Sequence, residues 1–288
     1  MSGQPVRRIL VALDESPHSR AALEEAAALA AGLQAELMGI FVMDTDLLRL
    51  AGLPLGRETG LTSARRRVLD PASMERALRA QAEAARRALD SIARQHRLRS
   101  SFLLSRGSVS GELIEAASRA DIVAMGLIGH MGLAGRHLGS TTRRIRMQSR
   151  CSLLLLAPGQ RRGSRVLVLS TGSADSDRGL DLALELARRR GVDLVVLPCN
   201  DDPKVRETVS ARLVQSGVAV HLGKAPERFE DLAVTISEQG GGILVVGQDC
   251  PLIAGHDDQL DQLGCPVLLA YAPESPPTAE TAGAGGEA

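Results

Sequence analysis

The sequence predicts an α/β protein made of two tandem copies of one parallel-sheet domain. Three observations carry that prediction. Short apolar runs without polar alternation, such as Ile9–Leu13, read as strands buried on both faces. Ala- and Leu-rich stretches with helical spacing separate those runs, and such alternation implies right-handed crossovers within a parallel sheet. The third is an internal repeat. A shift of 157 positions lays Arg8-Ile9-Leu10-Val11 on Arg165-Val166-Leu167-Val168, Ser16 on Ser173, Ser19 on Ser176, Leu23 on Leu180 and Leu29-Ala30 on Leu186-Ala187. Further along, Ile122–Gly126 matches Ile243–Gly247, and Cys151–Leu155 matches Cys265–Leu269.

Along the chain, Ile9–Leu13 is the first strand, Ser19–Gly32 a helix with a glycine near its end, and Leu37–Met43 the second strand. Residues 44–72 carry Gly52, Pro54, Gly56, Gly60 and Pro71 without a clean period, and read as a loop insertion containing the run Arg65-Arg66-Arg67. Met74–His96 is a long helix, Ser101–Ser105 a strand, Gly111–Arg119 a helix and Ile122–Met125 a strand. A glycine-rich turn leads to a helix near Thr141–Met147 and the strand Leu153–Leu156. The expected units are 1–160, a shorter copy over 161–273 beginning at the basic linker Gln160–Gly163, and a disordered tail over 274–288 rich in Pro, Thr, Gly, Ala and Glu.

Composition narrows the function. The 288 residues suit two domains at ~100–200 residues each. Lys plus Arg and Asp plus Glu are both 34, so no charge excess supports general nucleic-acid or membrane-surface binding. Three Phe, one Tyr and no Trp leave nothing for a base-stacking platform. Four scattered cysteines form neither a disulfide framework nor a metal knuckle, and no stretch is long enough to enter a membrane, so the expected location is cytoplasmic. Six histidines show no metal-ligand spacing, and Cys151 and Cys265, at matching strand starts, read as packing residues.

The informative segment is Gly126-Leu127-Ile128-Gly129 through Gly139-Ser140-Thr141-Thr142, between a predicted strand and a predicted helix. Ligands of open parallel sheets bind beyond the carboxyl ends of strands. Glycines admit a close backbone approach, and Gly139-Ser140-Thr141 stands at a helix start, whose free N–H groups and positive dipole end attract phosphate. Arg136, Arg143 and Arg144 would add positive charge there.

These glycines fit G-x(2)-G-x(9)-G-[ST], the nucleotide signature of the universal stress protein family, which the chain resembles. Ile9–Ser16 is similar to that family's opening strand and Asp-x-Ser turn, and Ala21–Val42 and Gly107–Val123 are similar to later segments of its domain. The resemblance implies a Rossmann-like fold of the adenine nucleotide alpha hydrolase type and an ATP ligand, with or without Mg²⁺. Carried over by position, it implies that Ala12 and Asp14 line the adenosine end, that Val42 contacts adenine, and that Met125 and Gly126 border the ribose. Gly129, Gly139, Ser140 and Thr141 would hold the phosphates. Leu127 and Ile128 depart from the small hydroxyl and basic residues common there.

The second copy differs. Gly126 to Cys151 spans 25 positions but Gly247 to Cys265 only 18, the missing length falling on the phosphate loop. Thr171 replaces Asp14, and Asp249, Asp257 and Asp258 would repel phosphates, so this copy is expected to be degenerate. Its turn Thr171–Ser176 resembles the pyrophosphate loop of adenylating enzymes, but Ser173 stands where a glycine is needed, and a Ser/Asp helix cap is the alternative. The family's domains dimerise through their last strands, which implies an intrachain pairing of Leu153–Leu156 with Val267–Ala270 and allows a homodimer through the same strands. The expected role is ATP-dependent regulation in a stress response with little or no hydrolysis. The rivals are an adenylating enzyme and a ligand-free scaffold.

Overall fold

The computed structural model describes residues 5–14, 16–51, 57–59, 66–68, 70–127, 140–157, 159–160, 163–199, 207, 209, 217–224 and 226–273. The first half runs β1 (Arg8–Ala12), α1 (Pro17–Leu33), β2 (Glu36–Asp44), α2 (Thr45–Ala51), β3 (Arg57–Thr59), β4 (Arg66–Val68), α3 (Pro71–Gln95), β5 (Ser100–Gly107), α4 (Val109–Ala117), β6 (Ile122–Gly126), α5 (Ser140–Gln148) and β7 (Ser152–Leu156). The second runs β8 (Arg165–Ser170), α6 (Ala174–Arg190), β9 (Leu194–Pro198), β10 (Val220–Leu222), α7 (Leu232–Glu238), β11 (Gly241–Gly247) and β12 (Val267–Ala270), with short 3₁₀ turns before α7 and before β12.

Ten strands form one sheet in the order β10-β9-β8-β11-β12-β7-β6-β1-β2-β5. Each half contributes five parallel strands with its first strand at the centre, so the chain order reverses at β1/β6 and at β8/β11. The repeat survives in the ladder: Ile9 pairs with Leu37 as Val166 pairs with Leu194. The halves meet where β7 and β12 pair antiparallel, Leu154 opposite Leu268, joining the two segments that the sequence expected to pair within the chain. That pairing occupies the second side of both strands, so a homodimer through them has no free edge; the outer strands are β5 and β10.

The sheet is buried on both faces, which explains the unbroken apolar runs. One face carries Ile9, Val11, Leu37 and Ala124 under α1, α3 and α6; the other carries Leu10, Ile40, Val123 and Leu153 under α4, α5 and α7. Each fully buried Leu or Ile stabilises by about 1.5–3 kcal/mol, and many such side chains stand in for the missing aromatics.

Two expectations need correction. The insertion is structured in part, because α2 follows β2 directly and β3 and β4 pair as an antiparallel hairpin containing Arg66 and Arg67. Helix α1 does not end at Gly32, which stays helical beside Leu186 and Arg190 of α6. It closes instead at Gln34, in the left-handed conformation with φ 55°. The tail after residue 273 lies outside the described residues, as do Arg65 and both linker arginines, Arg161 and Arg162.

Candidate functional site

The crevice of the first half opens where β1 and β6 deliver their carboxyl ends side by side. Ala12, Val42 and Met125 lie on the same sheet face, among the side chains under α4 and α5. Ala12 and Val42 are half-buried, Met125 is buried and Asp14 is exposed. Asp14 is fixed by its own turn: its Oδ1 accepts the Ser16 N–H at 2.8 Å and the Ser16 hydroxyl at 2.5 Å. Ser16 in turn caps α1 by accepting the Ser19 N–H at 3.1 Å, and the Ser19 hydroxyl accepts the Asp14 N–H at 2.9 Å. An exposed carboxylate is thereby locked at the strand end beside the start of a helix.

Beyond β6, the Leu127 N–H bonds to the Leu156 carbonyl at 2.7 Å, and the Leu127 side chain is buried in the core. This residue therefore packs where relatives would offer a hydroxyl. Helix α5 starts at Ser140; Thr141 is half-buried, and the buried Thr142 hydroxyl reaches the Gly126 carbonyl at 3.4 Å. Gly126 and the first turn of α5 are thus neighbours, although residues 128–139 intervene. Gly129, Gly139, His130, His137 and Arg136 lie outside the described residues, and so does the Ser140 side chain.

Three contributors were not foreseen. Ser19 and Thr142 brace the crevice through the hydrogen bonds just given. Glu112 accepts the hydroxyl of Ser105, whose strand position is opposite Val42, and lies against Gly107, so a carboxylate closes the β5 side. The repeated serines were a visible signal for Ser19, and Thr142 closes the glycine-rich segment singled out in the sequence; nothing there marked Glu112 for this role.

The arginines of α5 are a correction. Arg143 pairs with Asp258 at 3.2 Å and Arg146 with Asp257, both across the junction with the second half, and Arg144 donates to the Ser110 hydroxyl at 3.1 Å. The charges of Arg143 and Arg146 are thus paired with carboxylates of the second half, whereas Arg144 meets only a neutral hydroxyl. By the same contacts, Asp257 and Asp258 serve the junction between halves.

The second half builds the same turn with different chemistry. The Ser176 hydroxyl accepts the Thr171 N–H at 2.9 Å and Ser173 caps α6 by accepting the Ser176 N–H at 3.1 Å, so the helix-cap alternative describes this turn. The Ser173 hydroxyl donates to Asp249 at 2.9 Å, and Asp175 accepts the Ala272 N–H at 2.7 Å. A pyrophosphate would meet two carboxylates here. By the repeat register, Cys199 takes the place of Val42; its thiol reaches the Leu197 carbonyl at 3.9 Å, and the Cys250 thiol beside it together with burial raises its pKa. Burial raises Cys151 and pushes Cys265 up to about 12, as expected for packing residues.

Burial, with the Asp249 charge adding to it, raises the Asp175 pKa. A carboxyl that binds its proton more tightly when folded favours the fold as pH falls, and costs stability above its folded pKa. Asp175→Asn keeps an acceptor for Ala272, so its melting temperature is expected to exceed wild type at pH 7, with the gap closing as pH falls through the carboxylate range. A lower melting temperature at pH 7 would refute this.

Two five-stranded parallel halves, each with a strand-order reversal and a helix starting beside it, place the molecule among doubly wound α/β proteins whose sites lie at that reversal. Residues 5–157 match the universal stress protein family, and the chain belongs to it. Similar solved structures extend over both halves. A universal stress protein from Archaeoglobus fulgidus DSM 4304 is 16% identical, covering 93% of this chain and 97% of its own, with a TM-score of 0.69. A functionally unknown protein from Pseudomonas aeruginosa PAO1 is also 16% identical, covering 92% of each chain, with a TM-score of 0.59. The chain has no significant match among curated proteins. Among the described residues, no helix is long and apolar enough to cross a membrane, and no cluster of three metal-binding side chains occurs.

Proposed function

We propose that the first half is an ATP-binding unit and the second a degenerate partner, with domains over 1–160 and 161–273, in a cytoplasmic protein of nucleotide-dependent stress regulation. The observation that carries this reading is the meeting of three features at one strand reversal: the serine-locked Asp14, Gly126, and the start of α5 tied to Gly126 through Thr142. Ala12, Val42, Met125 and Gly126 form the base and ribose side, and Gly129, Gly139, Ser140 and Thr141 the phosphate side. With no aromatic ring among the described residues assigned to the base side, adenine is held by aliphatic contact and backbone hydrogen bonds. Asp14 and Glu112, the carboxylates described at this crevice, are each bonded to a serine, and neither is assigned to hydrolysis. The reading is binding rather than turnover.

The test is equilibrium titration with ATP, together with mass spectrometry of nucleotide released from freshly purified protein. Wild type is expected to bind, and Gly139→Val with Ser140→Ala to weaken binding at least tenfold without loss of fold. Absence of binding at millimolar ATP, or unchanged affinity in the double variant, defeats the proposal.

A further inference from the structure

At the opposite end of the first half, a cleft of about 1010 Å³ opens between the amino ends of β1, β2 and β5 and the carboxyl ends of α1, α3 and α4. Its lining includes Arg7, Arg8, Arg97, Arg99, Arg119 and, from α6 of the second half, Arg189. Glu36 and Asp121 are its carboxylates, and both are engaged: Asp121 accepts the backbone N–H groups of Arg7 and Arg8 at 2.7 and 2.9 Å, and Glu36 takes Arg8 at 3.3 Å and the Ser101 hydroxyl at 2.8 Å. Arg119 is paired with Glu115 and Arg189 with Glu185. The guanidinium groups of Arg7, Arg97 and Arg99 have no carboxylate partner among the described residues.

Backbone conformation supplies an independent observation. Among the described residues, Gln34 and Arg97 are the non-glycine residues with positive φ, both at 55°, and both line this cleft. Each closes a helix: the Ala35 N–H returns to Ala30 and the Leu98 N–H to Ala93, the left-handed ending for which glycine is favoured. The second half makes the α1 ending with Gly191, at φ 64°, in the position of Gln34. A large side chain in a left-handed position is a cost that a glycine would remove, and here that cost places a free guanidinium on the rim.

From this geometry we propose that the cleft binds a linear oligophosphate, independently of the nucleotide crevice. Guanidinium groups pair bidentately with phosphate oxygens. Arg7 precedes β1 and Arg99 precedes β5, with β2 between those strands, so their anchor points stand about 10 Å apart, a span that suits a chain of phosphates better than a single one. Neither Phe, Tyr nor Trp lines the cleft and its one ring is the imidazole of His96, too little stacking surface to favour single-stranded nucleic acid.

The probe is inorganic tripolyphosphate, titrated calorimetrically into the full-length protein at low salt. Saturable binding is expected, weakening as salt rises. Arg97→Gln with Arg99→Gln, and separately Arg7→Gln, should each lower affinity about tenfold or more while retaining the circular dichroism of the fold. Arg97→Gly should raise Tm by about 2–4 °C and still weaken binding, an opposition that a purely structural arginine would not produce. Gly139→Val with Ser140→Ala should leave tripolyphosphate binding intact, so failure of the ATP reading and of this one remain distinguishable. No binding to wild type at millimolar probe, indifference to the arginine changes, or loss in the Gly139/Ser140 variant would overturn the proposal. So would tighter binding of single-stranded RNA, or of ATP in that variant, than of tripolyphosphate.

Discussion

Leu154→Asp is expected to abolish the cooperative native state of the whole chain at 37 °C rather than to release two folded halves. Leu154 is 1% exposed at the centre of β7, opposite the fully buried Leu268 of β12. The substitution removes a buried leucine, worth about 3 kcal/mol with its cavity, and buries a carboxyl without a partner, worth several more. Against a typical stability of about 5–15 kcal/mol, that exceeds what one site can lose harmlessly. The effect reaches both halves because Leu154 and Leu268 share a core with α1 and α6, which pack together across the junction. Urea unfolding monitored by circular dichroism checks it. Leu154→Met, close in volume, should cost under about 1.5 kcal/mol. A Leu154→Asp protein that unfolds in two separate transitions, one of them at the wild-type midpoint, would contradict this account.

Gly242→Val is expected to cost about 3 kcal/mol or more, although residue 242 lies near a strand end. The reason is main chain rather than side chain. A Cβ on Gly242 would overlap the Gly163 carbonyl oxygen and come within 2.8 Å of its carbon and 3.2 Å of its nitrogen. The reverse approach is as close, since a Cβ on Gly163 would overlap Gly240 and Gly241. The pairing of β11 with β8 shifts register between Gly241 and Ile243, the local irregularity at which the linker passes. Flexible side chains yield to an added methyl group; two backbones in contact cannot. The linker is tied down again where the Gln160 side-chain amide donates to the Cys265 carbonyl at 2.7 Å. Thermal unfolding of Gly242→Val, beside the milder Gly242→Ala, measures the effect, and a wild-type Tm for the valine variant would refute it.

The parts of the fold that were legible in the sequence are those fixed by local pattern. Ile9–Leu13 and Leu153–Leu156 are continuous apolar runs because strands buried on both faces leave no polar side, and the repeat at Ser16/Ser173 and Ser19/Ser176 recurs as the same capped turn. Helix α2 was not legible: seven residues are too few to show a period, and its Leu47 and Leu50 are exposed rather than aligned on a core. The endings at Gln34 and Arg97 carry no glycine, the residue by which such endings are usually read. For the site, the family resemblance and not strand position singled out Ala12, Asp14, Val42, Met125 and Gly126; in the structure they end adjacent strands or lie in the turn beyond them. The fate of Arg143 was hidden because its partner, Asp258, lies more than a hundred residues away. Asp249 was noticed as a charge, but its hydrogen bond to Ser173 is a product of folding.

The antiparallel junction of β7 with β12 also bears on how the two copies can diverge. Strands of the two halves run in opposite directions, so their carboxyl-end crevices face opposite ends of the sheet. In an assembly of identical subunits, every substitution is made twice and both crevices must change together. Joining the copies in one chain lifts that symmetry: a change at Asp249 or Cys199 alters one crevice and spares its counterpart. The stoichiometry of any ligand specific to one crevice is thereby set by covalent linkage at one per chain.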